Sequence, residues 1–182
     1  MEQGFGRPVR AEDVMRRVGV PRRSRDPLRD PKPLIRRVYS YVAYRIGDGA
    51  DAEDVTSAVF ERAVRYRSSY DASRGDPVAW VLGIARRTLA EHLGRPVPTP
   101  VMDAVLDTPV SGPEEATIRR MTLEEAFAAL SERDRDLLSL RFGAALKARE
   151  IAAVLEIDAH AAEVALSRAS ARLRRLLNDA GV

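Results

Sequence analysis

The run Asp51-Ala52-Glu53-Asp54-Val55-Thr56-Ser57-Ala58-Val59-Phe60-Glu61-Arg62-Ala63-Val64-Arg65-Tyr66 decides how this chain folds. Ala52, Val55, Val59, Ala63 and Tyr66 recur at spacings of three and four, the period of an amphipathic helix. Asp51 suits an N-cap with Asp54 three residues on, and the acidic first turn complements the helix dipole. Upstream, Pro33 suits a first helical position and Gly47 a C-terminal stop, with Leu34, Val38, Tyr41, Val42 and Ile46 on one face. Downstream, Tyr70 to Asp76 is loop chemistry, and Asp76 caps a helix opening at Pro77 and ending before Gly94. On that helix Val78, Val81, Leu82, Ala85 and Leu89 face the core, leaving Trp80, Arg86 and Arg87 nearer the rim. No segment alternates as a strand does.

Prolines divide the chain further. Pro96, Pro98, Pro100, Pro109 and Pro113 crowd one short segment, and none follows. The interval 95–113 is therefore an extended linker between two helical blocks. The second block predicts helices over 114–130, 132–142 (with Ser131 and Asp134 as a capping pair), 146–155 and 159–177. Only Glu156-Ile157-Asp158 joins the last two, the spacing of a helix-turn-helix. Residues 1–32 carry Arg22-Arg23-Ser24-Arg25 and no sustained period, which reads as a flexible basic arm with a short helix over 11–18. The fold class expected is all-α: two small helical domains, 33–94 and 114–182, joined by a Pro-rich linker.

Composition excludes several kinds of function. The 182 residues contain no cysteine and only two histidines, His92 and His160, far apart. Disulfides, thiolate metal sites and cysteine nucleophiles are impossible, and no catalytic constellation, metal site or cofactor motif is visible. No apolar run reaches membrane-spanning length, and residues 1–10 lack the apolar stretch of a secretory signal, so the cytoplasm is the expected compartment. Of 30 basic residues only Lys32 and Lys147 are lysines. Arginine's planar fork suits phosphates and base edges, although a GC-rich genome would give the same bias. Charge is also partitioned: residues 1–37 hold 11 basic and 5 acidic groups, whereas 96–116 hold 4 acids and no base.

With these motifs in place, the sequence resembles the extracytoplasmic-function (ECF) group of bacterial RNA polymerase sigma factors. The resemblance rests on Asp51-Ala52-Glu53-Asp54-Val55 with Phe60 and Arg62-Ala63, on Ala79-Trp80-Val81-Leu82 with Ile84-Ala85-Arg86, and, after the proline-rich spacer, on Leu130 to Arg135, Leu140-Arg141-Phe142 and Glu150-Ile151-Ala152. It covers most of the chain. It implies a non-catalytic specificity subunit that binds core RNA polymerase, opens the minus-ten promoter element with its first domain and reads the minus-thirty-five element with its second. It also implies a monomer when free, held in many relatives by an anti-sigma protein.

For the polymerase, Asp51, Glu53 and Asp54 would meet basic groups, with Val55 and Phe60 adding apolar contact; a helix start with solvated acids explains those acids equally well. Holding a single strand rewards a cationic track with stacking aromatics. Arg62, Arg65, Arg67 and Tyr70 supply such a mixture, followed by Arg86 and Arg87, whereas Tyr66 and Trp80 read as packing. The resemblance implies that the loop captures a flipped base, making Tyr70, Asp71, Ser73 and Arg74 candidates for specificity.

Two departures from the family pattern stand out. Ser57-Ala58-Val59 replaces a more polar clamp-facing triplet. The recognition helix reads His160-Ala161-Ala162-Glu163-Val164-Ala165, with Glu163 and Ala165 where the family usually places basic groups. Arg149, Ser167, Arg168 and Arg172 remain for backbone contacts. An acid repels phosphates but can accept from a cytosine amino group, so weak or unusual minus-thirty-five preference is expected. Two other readings stay open: a sigma-like regulator with impaired promoter reading, and a dimeric helix-turn-helix repressor.

Overall fold

A computed structural model describes residues 26–95, 97 and 123–179, and all regular structure among them is helical. The basic arm up to residue 25, almost all of the linker and the stretch 114–122 lie outside the described residues.

The first half contains three helices of one length: α1 (Pro31–Ile46), α2 (Ala50–Arg65) and α3 (Pro77–His92). Helix α1 opens at Pro31, two residues before the expected proline, and Gly47 takes the stop with φ 91°, accessible to glycine at little cost. Helix α2 starts two residues earlier than its sequence suggests. Gly49 is the cap, Asp51 lies within the first turn, and no side chain caps the end. Helix α3 begins as expected: Asp76 accepts a hydrogen bond from the Ala79 amide at 2.8 Å, next to Pro77.

The second half contains α4 (Leu123–Ala128), α5 (Glu132–Leu138), α6 (Ala148–Leu155) and α7 (Ala159–Asp179). Ser131 caps α5 by accepting from the Asp134 amide at 3.2 Å. The helix expected to run on to Phe142 instead widens into a π-helical turn, Ser139–Gly143, closed by the Ala144 amide donating to the Ser139 carbonyl at 3.0 Å. Such a turn holds one residue more than an α-turn and so redirects the chain as it leaves the helix. Glu156 ends α6 in the left-handed region with φ 56°, and Asp158 accepts from the His160 amide at 2.7 Å to open α7.

The two halves share one continuous core. Leu34, Val38, Tyr41 and Val42 of α1 and Val81, Leu82 and Leu89 of α3 belong to the same buried cluster as Leu137, Leu138, Leu140, Leu146 and Ile151. Burying a large aliphatic side chain contributes roughly 1.5–3 kcal/mol, so the seam between the halves is apolar at its centre. Gly143 sets how closely the halves approach. A Cβ built there would lie 2.8 Å from the Ser40 carbonyl oxygen and 3.1 Å from both the Tyr41 Cα and the Tyr44 Cβ, so only glycine fits without displacing α1. Beside it the Tyr44 and Phe127 rings meet edge to face with centroids 5.1 Å apart.

Candidate nucleic-acid interface

Between α2 and α3 the chain makes a compact loop whose every turn has a local cause. Arg67–Ser69 forms one 3-10 turn, and the Tyr70 amide donates to the Arg67 carbonyl at 3.3 Å. Asp71 then accepts from both the amide and the hydroxyl of Ser73, at 2.9 and 2.7 Å. These hydrogen bonds favour the carboxylate and hold the Asp71 pKa below its ordinary value. The Arg74 amide donates to the Asp71 carbonyl at 3.1 Å, and the Tyr70 hydroxyl donates to the Gly75 carbonyl at 3.1 Å. Tyr70 also packs against Trp80, with centroids 5.6 Å apart. The loop is therefore preorganised, with Tyr70 as its internal strut.

That placement corrects several expectations. Tyr70, a candidate for base stacking, is 7% exposed, whereas Tyr66, read as core, is 52% exposed. The reason is local: α2 ends at Arg65 and Tyr66 sits at the C-cap with φ −101°, so it rotates off the apolar stripe. Val55 is buried in the core and so offers nothing to a partner, while Phe60 is half-buried against that core. Asp51, Glu53 and Asp54 are exposed together on the first turns of α2.

Among the arginines, Arg65, Arg67, Arg74 and Arg87 are exposed. Arg62 reaches Glu91 at 2.6 Å and Thr88 at 3.3 Å, and the Glu91 contact keeps that carboxyl below its usual pKa. Arg86, expected near the rim, is instead buried, its Nε donating to Asp136 Oδ2 at 2.8 Å. In this arrangement it cannot touch DNA. Asp71, Ser73, Arg74 and Arg87 are exposed together at the loop, and Asp71, Arg74 and Arg87 line a cavity of about 600 Å³ whose far wall is Ala153–Glu156 of the second half.

The second candidate surface is α7. His160, Glu163, Ser167 and Arg168 lie along it, with Ala161 and Val164 half-buried, and Arg149 is on α6. Arg172 has a different role. Its guanidinium forms a bidentate pair with the buried Asp134, both contacts at 2.7 Å, which ties α7 to α5. Sequence reasoning missed this pair, and it also missed Asp136. Among the described residues no cluster of three or more His, Asp or Glu side chains could hold a metal ion, and no helix is long and apolar enough to cross a membrane.

A three-helix unit with a structured, arginine-bearing loop is thus followed by a unit ending in a helix-turn-helix, an all-helical arrangement in two halves. Comparison with known families makes this specific. Residues 32–95 match Sigma-70 region 2, and residues 120–173 match Sigma-70, region 4. The chain belongs to the ECF group of RNA polymerase sigma factors. Among curated relatives it is 32% identical over 150 residues to the ECF RNA polymerase sigma factor BldN of Streptomyces coelicolor, covering 78% of this chain and 56% of that protein. It is 26% identical over 128 residues to SigK of Mycobacterium ulcerans, covering 63% of this chain and 66% of that protein. The alignments thus span somewhat more than half of these relatives' length. The fold is similar to two solved structures: CnrH in complex with the cytosolic domain of CnrY (TM-score 0.53, 21% identity, 83% of this chain and 84% of that one), and the sigma factor RpoE in complex with the anti-sigma factor NepR from Bartonella quintana (TM-score 0.55, 16% identity, 80% and 92%).

Proposed function

We propose that this chain binds core RNA polymerase and directs it to a small set of promoters, opening the minus-ten element with its first half and contacting the minus-thirty-five element with its second. The observation that carries this reading is the preorganised loop, which presents Asp71, Ser73 and Arg74 beside Arg87 within a domain matching Sigma-70 region 2. A loop held by its own hydrogen bonds loses little entropy on capturing a base, and nearby guanidinium groups supply phosphate contacts. Arg65 and Arg67 extend the cationic track from the end of α2. The polymerase contact is assigned to the exposed acids Asp51, Glu53 and Asp54, with the half-buried Phe60 further along α2 and the buried Val55 taking no part. Nucleotidyl transfer belongs to the polymerase, and this subunit supplies specificity without a catalytic site or cofactor of its own.

On the minus-thirty-five side, His160 and Glu163 form the reading face with the half-buried Ala161 and Val164, and Arg149, Ser167 and Arg168 serve the DNA backbone. The exposed Glu163 favours weak or unusual preference there, because a carboxylate facing phosphates is repelled while one facing a cytosine amino group is accepted. The same residue supports a second reading, a sigma-like regulator that holds polymerase without efficient promoter reading. An anti-sigma protein is the proposed antagonist, in keeping with the complexes formed by the two structural neighbours. The free protein is a monomer, which gel filtration separates from a dimeric repressor.

The test is transcription in vitro with sigma-free core polymerase on fragmented genomic DNA, with mapping of the transcript starts. Starts sharing an upstream element support the sigma role. Polymerase binding without specific starts favours the regulator, and absence of polymerase binding overturns both.

A further inference from the structure

Helix α3 carries a single glycine, Gly83, in the middle of its length, where glycine is less favourable than any residue except proline. Packing within the chain does not call for it. Gly143 is hemmed in by α1, but a Cβ built on Gly83 would meet nothing within 4 Å. The open space beside it is the cavity of about 600 Å³ between the halves, which Gly83 lines. Bare helix backbone next to a cavity lets a ligand approach more closely than any side chain would allow.

The neighbouring residues narrow the kind of ligand. Trp80 and Arg87 stand three residues before and four after Gly83, on the same face of α3, and both line the cavity. Seven residues of helix cover about 10 Å along the axis, so these two side chains flank a slot with Gly83 at its base. An indole and a guanidinium are both flat groups on which an aromatic ring stacks. The half-buried Ile84 adds apolar surface to the lining.

The charges at the cavity suit one phosphate. Among the described residues Arg87 is paired with no carboxylate, and Arg74 pairs only with Glu156, at 3.6 Å, with the two side chains 75% and 74% exposed. An ion pair in that much solvent contributes little, so the Arg74 fork exchanges it for a phosphate at small cost. Glu156 remains nearby, which disfavours a polyphosphate. A cavity of this size between two packed units is a usual setting for a small-molecule site.

We propose that this cavity binds a purine nucleoside monophosphate, with the base over Gly83 between Trp80 and Arg87 and the phosphate on Arg74. Residues 69–87 come from the first half and Ala153–Glu156 from the second, so the ligand binds the packed pair and stabilises it. The proposal does not depend on the promoter reading.

Gly83→Met fills the slot, adds no charge and alters no residue assigned to DNA or polymerase. Its Cβ has room and methionine is the better helix former, so the variant should fold with a thermal midpoint no lower than that of the unmodified chain. Isothermal titration of the full-length chain with AMP should give a Kd of about 10 µM, ordinary for a ligand of this size. Adenosine and inorganic phosphate, each making part of the contacts, should bind at least tenfold more weakly, and Gly83→Met and Arg87→Gln should each weaken AMP at least tenfold. The same chemistry also arrives as one residue of a nucleic-acid strand. Fluorescence anisotropy of a labelled oligo-dT about 20 nucleotides long separates the two sources, because Gly83→Met should lose AMP and keep the strand. Absence of AMP binding up to about 1 mM overturns the proposal, as does AMP binding indifferent to both variants or matched by phosphate alone. Oligo-dT affinity lost in step with AMP assigns the cavity to the strand and overturns it as well. Should Gly83→Met fail to fold, Arg87→Gln with the adenosine and phosphate titrations carries the test. Core-polymerase binding is measured separately: its absence removes the sigma reading and leaves the AMP result standing, whereas failed AMP binding with polymerase binding intact removes only this proposal.

Discussion

Asp136→Ala tests how the halves are held together. Asp136 accepts from the Tyr41 hydroxyl at 2.7 Å and from Arg86 at 2.8 Å, and lies 3.5 Å from Arg45. All three ionic side chains are sequestered, with exposures of 3% for Asp136, 5% for Arg45 and 9% for Arg86. Removing the carboxylate takes the 2.8 Å ionic partner from the buried Arg86, while Arg45 keeps Glu132 at 2.5 Å, a loss of about 3–5 kcal/mol for a buried pair broken on one side. At a urea m-value of about 2 kcal/mol/M the midpoint should fall by about 1.5–2.5 M. There is a ceiling on this loss, because a chain that opens its seam rehydrates both arginines. If opening costs less than the full penalty, the remainder appears as an expanded molecule in small-angle scattering. Urea unfolding monitored by circular dichroism, paired with scattering in native buffer, reads both. A midpoint lowered by less than about 0.5 M, a quarter of the expected shift, together with unchanged dimensions would refute the reasoning. The triple replacement of Asp136, Arg45 and Arg86 by apolar residues of similar volume should restore most of the lost stability, since it removes the charges and the desolvation penalty together.

Three further outcomes are expected. Asp76→Ala removes the α3 cap and should cost about 1 kcal/mol, read as a lower thermal midpoint with the loop's hydrogen exchange accelerated. Tyr41 has a pKa well above the ordinary value of 10.0, chiefly because it is buried and secondarily because Asp136 is close. The folded state thus retains a proton that the unfolded state releases, so this group's contribution to stability should be flat below about pH 10 and fall above it; Tyr41→Phe should flatten that alkaline fall, and an unchanged urea-midpoint profile would contradict the assignment. Glu163→Lys should steepen the log-log salt dependence of duplex DNA binding by about one unit, as for one added phosphate contact; no change in slope would mean that Glu163 does not face the backbone.

The helices were legible because punctuation and period agreed. Asp76-Pro77, Gly47 and the Glu156-Ile157-Asp158 turn mark boundaries that lie within a residue or two of the observed ones. Legibility failed wherever the determining contact was remote in sequence. The period of α3 sets Arg87 opposite the core face and Arg86 only on its flank, and it carries no sign of the carboxylate 50 residues away against which Arg86 is buried. The π-helical turn left no signature either, because it depends on how α1 receives Gly143. Tyr66 and Tyr70 exchanged their expected roles because the point at which α2 ends decides which ring stays on the stripe. The accessibility of the candidate residues was not readable, since that is a property of the packed pair of halves.

The contact between Tyr41 and Asp136 spans 95 residues of chain. At a ribosome's pace of about 5–20 residues per second, roughly 5–20 s separate the synthesis of the two partners. Through that interval the emerging first half has Arg45 and Arg86 without the Asp136 carboxylate that buries them in the folded chain. The nascent protein therefore passes through a cationic, uncovered stage, and the speed of translation through the linker sets how long cellular polyanions have access to it.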